Sequence, residues 1–124
     1  KAIVHCHAPA ATAFAATHEK INDPVLLPES VIALGNIGYA EYGTPSTNEV
    51  SDAVSKVAKD SNVILLSNHG ALTFGEDVMQ AYYRMENLEM VSRITILAKL
   101  IGNLKPLNAE QIKKLHDVKE RMGW

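Results

Sequence analysis

The chain has 124 residues, 47% of them apolar and 21% charged, with a formal net charge of −2. That length holds one domain with a real core rather than two, and a near-neutral balance without a basic block gives no support to nucleic acid or an anionic membrane as partner. No apolar run approaches the roughly 18 residues of a membrane-spanning helix, and a single cysteine rules out an internal disulfide framework and suits a reducing, cytoplasmic setting.

The chain opens Lys1-Ala2-Ile3-Val4-His5-Cys6-His7, an apolar run rich in β-branched residues that ends on histidine. Such a run reads as a strand. His5 and His7 then share one face and Cys6 takes the other. Alternate residues lie about 6.5–7 Å apart along a strand, so the two imidazoles can converge on one ion. A second apolar run, Val63 to Ser67, leads into Asn68-His69-Gly70. His69 supplies a third nitrogen and leaves a position for substrate or water, the plan of a catalytic rather than a structural zinc site. Gly70 permits the close backbone approach that ligands need. Histidines that only hydrogen-bond the backbone would give the same pattern, and the residues alone leave both readings open.

The start lacks the basic region, long apolar core and cleavage site of a signal peptide. Termini are poorly ordered unless a sheet holds them, so ligands at positions 5 and 7 raise two expectations. Either the chain is a fragment or one piece of a nicked protein, or its first strand lies centrally in a sheet.

Ala8 to His18 is alanine-rich with Pro9 in its first turn, which favours a helix packed closely on a neighbour. Its positive N-terminus is expected to face the histidines and suit an anionic substrate. His18, near its C-terminal end, reads as structural or solvated. Ile21 to Glu29 holds Asn22, Asp23, Pro24 and Pro28 and reads as a loop; Gly38 to Tyr42 reads as a strand. Tyr39 and Tyr42 are read as core or interface aromatics, with a site hydroxyl as the alternative.

Ser46-Thr47-Asn48-Glu49 has the form of a capping box and predicts a helix over Glu49 to Lys59 that buries Val50, Ala53, Val54 and Val57. Strands are predicted at Val63 to Ser67 and Ala71 to Gly75. The longest helix is predicted from Asp77 to Ile101, with Gly102 as its stop. Val78, Ala81, Tyr82, Met85, Leu88, Val91 and Ala98 mark its buried stripe. Its C-terminal half is apolar nearly all round, which points to burial between layers or against another subunit. Glu86 and Glu89 fall between core positions, and Glu86 reads as surface with Met90 and Arg93. A last amphipathic helix is predicted over Ala109 to Met122, burying Ile112, Leu115, Val118 and Met122, with His116 solvated. There is no internal repeat. Gly70 to Gly75 lacks the Gly-Lys-Ser/Thr finish of a phosphate loop, and neither a nucleophile-elbow nor a dinucleotide motif is present.

Val4-His5-Cys6-His7-Ala8-Pro9, the alanine-rich stretch after it, and Asn68-His69-Gly70-Ala71 resemble the class II aldolase/adducin family. The 62-residue separation of His7 from His69 fits, as does Gly75 followed by a long helix with Ala81, Glu86 and Glu89. The resemblance covers nearly the whole chain, as a single domain over residues 1–124 that matches the family's C-terminal portion. It implies a three-layer α/β/α fold around a mostly antiparallel sheet. It implies zinc, or another divalent transition metal such as manganese or cobalt, held by His5, His7 and His69. It implies a small phosphorylated ketose as substrate, cleaved as L-fuculose 1-phosphate is cleaved to dihydroxyacetone phosphate and lactaldehyde, in a cyclic tetramer with sites at subunit boundaries.

The chemistry agrees with that ligand set. Aldol cleavage leaves negative charge beside a carbonyl, which a Lewis-acidic ion held by neutral imidazoles stabilises, and a general acid/base must move the proton at carbon. In aldolase members that base is a glutamate upstream of the His-x-His. Only four residues precede His5 here and none is acidic. The catalytic base and the phosphate-binding loops are therefore expected in a missing N-terminal segment or a second chain of the same protein. The family's loop tyrosine would fall near Pro28 to Ala33, where there is none; Tyr39 or Tyr42 are the stand-ins. The same histidines serve sugar-phosphate epimerases and methylthioribulose phosphate dehydratases. Adducin-like, non-catalytic members tend to lose the ligands, which this sequence retains.

Overall fold

The structure, a computed structural model, describes residues 1–123. Four strands, β1 (Ala2–Cys6), β2 (Ile37–Ala40), β3 (Val63–Leu66) and β4 (Gly70–Gly75), form one sheet in the order β1-β4-β3-β2. β1 pairs antiparallel with β4, β4 antiparallel with β3, and β3 parallel with β2. A parallel neighbour requires a crossover. Here the chain between β2 and β3 carries helix α2 (Asn48–Val57).

β3 reads Val-Ile-Leu-Leu and is buried at all four positions, as a strand covered on both faces must be. Val63 and Leu65 face a cluster built from α1 (Pro9–Ala15) and α3 (Val78–Ile101), with Ala11, Phe14, Met85, Leu88 and Val91 at its centre. Ile64 and Leu66 face the other side, where Ala53 of α2 and Ala40 complete a smaller cluster. The layers are therefore α1 and α3, the sheet, and α2, which is the expected α/β/α arrangement. β1 lies at an edge of this sheet rather than centrally.

Several boundaries differ from the sequence reading, each for a local reason. α1 stops at Ala15, not His18. The carbonyl of Ala15 is taken by the Asn68 N–H (2.9 Å), and the Thr17 hydroxyl bonds back to the Phe14 carbonyl (3.1 Å). β2 covers Ile37–Ala40 because its partner ends at Leu66. The Ala40 carbonyl instead accepts from the Ser67 N–H and hydroxyl, at 3.1 and 2.8 Å. The α2 cap is Thr47, one residue later than expected, accepting from the Glu49 N–H. The Glu49 carboxylate accepts from the Thr44 N–H at 2.8 Å, so the reciprocal bond of a capping box is not made. Glu49 is held below the usual carboxylate range by that bond. Of the four α2 positions expected in the core only Ala53 is fully buried.

On α3 the buried stripe is Ala81, Met85, Leu88, Val91, Ser92 and Thr95. Val78 and Tyr82, expected inside, are exposed. Ser92 takes an inward position because its hydroxyl need not stay orphaned: it donates to the Leu88 carbonyl at 2.7 Å, an i−4 bond that lets a helix bury serine. Thr73 on β4 does the same across the interface, donating to the Ala81 carbonyl at 2.7 Å. Ser30–Leu34 forms a single π-helical turn that the sequence pattern does not announce. α4 (Ala109–Met122) has the predicted bounds and a capping box between Asn108 and Gln111, yet buries no residue fully. It lies against the 30–34 turn, where Lys119 donates to the Val31 carbonyl at 3.2 Å. No helix is long and apolar enough to cross a membrane among the described residues.

Candidate metal centre

β1 decides which way the first two histidines point. Val4 packs against the α1/α3 cluster, so strand alternation sends His5 and His7 to the other face and Cys6 back to the first. On that other face α2 covers β2 and β3, whereas Ile3 on β1 is 62% exposed. His5 and His7 thus stand at the open edge of the sheet. His69 arrives from the turn between β3 and β4. Leu66 pairs with Gly70, which leaves Ser67, Asn68 and His69 as the connection.

That turn is held at four points. His69 N–H donates to the Leu66 carbonyl at 3.0 Å, Ser67 bonds twice to Ala40, and Asn68 N–H bonds to Ala15. Asn68 has φ +56°, in the left-handed region that asparagine tolerates better than most residues. Asn68→Val is expected to cost roughly 1–2 kcal/mol and to loosen the turn that aims His69. Asn68→Gly is expected to leave stability near wild type. Chemical denaturation of the two variants checks this.

The three imidazoles converge. Their ring centroids are 5.0, 5.0 and 4.9 Å apart, their planes cross at 72–76°, and one potential ligand atom from each lies within 4.8 Å of the others. A tetrahedral zinc ion with bonds of about 2.0–2.1 Å sets its nitrogens roughly 3.4 Å apart, so the three rings would draw in toward an ion from within that bound. His5 Nδ1 lies 2.9 Å from the Ala71 carbonyl. A carbonyl only accepts, so the proton sits on Nδ1 and the Nε2 lone pair is left free, the outer contact that metal-ligating histidines characteristically make. Burial first, and then the two neighbouring imidazoles of His5 and His7, beside which a further positive charge is disfavoured, push the His69 imidazole below its ordinary value. The neutral ring, which is the ligating form, is therefore favoured.

Gly70 makes this packing possible. A Cβ there would lie 2.8 Å from the Cys6 carbonyl oxygen and 2.8 Å from His7 Cδ2, closer than non-bonded atoms approach.

The other residues singled out in the sequence fall elsewhere. Tyr39 is on β2, at the far edge of the sheet, and its hydroxyl accepts from the Ile21 N–H at 3.1 Å. Burial raises its pKa. It ties down the loop after α1. Tyr42, His18 and His116 are exposed. The N-terminus of α1 is not open to an anionic substrate, contrary to expectation. The Glu89 carboxylate of α3 already accepts from Ala10 N–H (3.1 and 3.0 Å) and Ala11 N–H (3.0 Å). The pattern of α3 sets Glu89 between core positions but does not name this partner. The available signal is Ala8, the cap position of α1, which has no side chain able to cap.

A sequence model of the family described as Class II Aldolase and Adducin N-terminal domain matches residues 1–96. The chain belongs to the class II aldolase and adducin family. It is 36% identical over 104 residues to the L-fuculose phosphate aldolase of Methanococcus maripaludis, covering 84% of this chain and 54% of that protein. It is 28% identical over 100 residues to the 3-oxo-tetronate 4-phosphate decarboxylase of Escherichia coli, covering 78% of this chain and 47% of that one. A solved structure of an L-fuculose 1-phosphate aldolase superposes with a TM-score of 0.82 at 27% identity, over 98% of this chain and 55% of the other. The chain thus spans about half the length of these class II aldolase relatives. Its α/β/α layers are those of the family's solved structures.

Proposed function

We propose that this chain forms the metal-binding part of a divalent-metal-dependent class II aldolase acting on a small phosphorylated ketose such as L-fuculose 1-phosphate. In this reading His5, His7 and His69 hold zinc or another divalent transition metal. The observation that carries the reading is the convergence of three imidazoles with the His5 tautomer set by Ala71. The names borne by the relatives support the substrate class.

A divalent ion in that position supplies Lewis acidity toward a carbonyl and a neighbouring hydroxyl oxygen, where charge develops as the carbon–carbon bond breaks. The chain's own residues do the rest. His5 is oriented by the Ala71 carbonyl, His69 by its turn, and His7 by the packing of Gly70 against its ring. Histidine ligates in its neutral form, so three such ligands would leave an ion's charge undiminished. His5 and His7 are exposed, so a substrate can approach from the open edge of the sheet. The proton at carbon is moved by a glutamate supplied from a segment or second chain of the same protein that precedes His5. The exposed apolar residues of α3, among them Ile94, Leu97, Leu100 and Ile101, supply the surface on which copies of the chain associate, as tetramers in this reading.

A second reading is favoured by the E. coli relative. Decarboxylation of a 3-oxo acid also leaves negative charge beside a carbonyl, and the same histidines serve it. The test is metal analysis of the purified protein followed by incubation with L-fuculose 1-phosphate and with a 3-oxo-tetronate 4-phosphate. The aldolase reading expects one divalent ion per site and formation of dihydroxyacetone phosphate that a chelator stops and zinc restores. Release of carbon dioxide from the second compound alone would replace it with the decarboxylase reading. A protein that takes up no divalent ion would end both.

A further inference from the structure

We propose that Glu89 is the residue that positions His7 for metal binding, by clamping the start of α1 to α3; the proposal rests on the metal-centre reading above. His7 is the least constrained of the three histidines along the backbone. β1 ends at Cys6, whose ladder partner is Ala71, so His7 lies one residue beyond the sheet ladder. His69 is fixed inside a tight turn and His5 within the ladder. After His7 the chain runs through Ala8 and Pro9 to the amides of Ala10 and Ala11.

Those two amides are among the orphan donors that open every helix. A serine, threonine or aspartate at the cap position would ordinarily accept them. Ala8 stands there and makes no side-chain cap. Glu89 fills that place from another helix with three contacts of 3.0–3.1 Å. A local cap would stabilise α1 alone. A carboxylate on α3 does more: it fixes the height and direction of the chain between Cys6 and Ala10 relative to the core helix, and His7 is within that interval. Ala8, Ala10 and Ala11 are all buried, so the segment has no side chain of its own with which to make the tie. α3 packs on both α1 and β1, which makes it the element able to set one against the other.

Zinc affinity is to be measured by competition with a chromophoric chelator for the wild-type protein, Glu89→Gln and Glu89→Ala, well below each melting midpoint. The visible spectrum of the cobalt-substituted forms is to be recorded beside it. Glu89→Ala is expected to bind zinc about 10–100-fold more weakly, the range seen when outer contacts of metal sites are removed, and to show an altered cobalt spectrum. Glu89→Gln, with one acceptor oxygen left, should fall between and decides alone if the alanine variant does not fold. A variant that melts lower yet keeps wild-type zinc affinity and the wild-type cobalt spectrum would show Glu89 to be a helix cap and nothing more. Wild-type protein that binds neither metal would instead defeat the metal-centre reading itself.

Discussion

If the proposed aldolase reading holds, replacing His69 by alanine is expected to remove zinc from the protein and to lower aldol cleavage by at least about 10³-fold. A bound divalent ion contributes several kcal/mol of transition-state stabilisation, and about 4 kcal/mol corresponds to three decades in rate. The fold should survive the change. His69 is only half-buried, and the bonds that shape its turn run through the backbone of Ser67, Asn68 and His69 and the Ser67 hydroxyl. Circular dichroism near wild type with loss of metal on dialysis is the expected pair of results. Retained stoichiometric zinc would show that His69 is a backbone-stabilising histidine, the other reading its sequence context leaves open.

Gly70→Ala is expected to damage stability and site together. The added methyl would meet the Cys6 carbonyl oxygen and His7 Cδ2 at 2.8 Å each, and His5 Cε1 at 3.4 Å. Neither first contact can relax cheaply. Moving the Cys6 carbonyl opens the β1–β4 ladder at its last pair, and moving the His7 ring takes one imidazole away from the other two. Overpacking of this kind costs about 1–3 kcal/mol, a sizeable share of the 5–15 kcal/mol typical of a domain. The denaturation midpoint should fall, and zinc affinity should fall beyond what the loss of folded protein explains. A Gly70→Ala protein with unchanged midpoint and metal affinity would mean that β1 shifts freely at this edge.

The two readouts differ in what they report. His69→Ala tests whether the histidines act as ligands while leaving the frame intact. Gly70→Ala tests whether the frame sets their geometry while removing none of the three histidines.

Much of the centre is legible in the order of residues. Strand alternation alone puts His5 and His7 on one face, because the period of two is a property of the extended backbone. The apolar run Val63 to Leu66 marks a strand buried on both faces, and Asn68-His69-Gly70 marks the turn after it. The bounds of α4 are readable from Pro106 and Asn108 before it and from the spacing of Ile112, Leu115, Val118 and Met122. In each case the determining interactions lie within a few residues of one another.

The features that the sequence alone could not decide depend on partners far apart in the chain. α1 ends early because Asn68, 53 positions beyond Ala15, takes its last carbonyl. Ser92 and Thr95 are polar, yet they lie on the buried stripe of α3, which only the packing of that helix against the rest of the fold covers. The N-terminus of α1 is open when read locally and closed by Glu89 once α3 is folded against it. Short-range periodicity therefore determined which histidines share a face. Only tertiary packing decided that His69 joins them, that the Ala71 carbonyl sets the His5 proton, and that a carboxylate from α3 stands where the helix has no cap of its own.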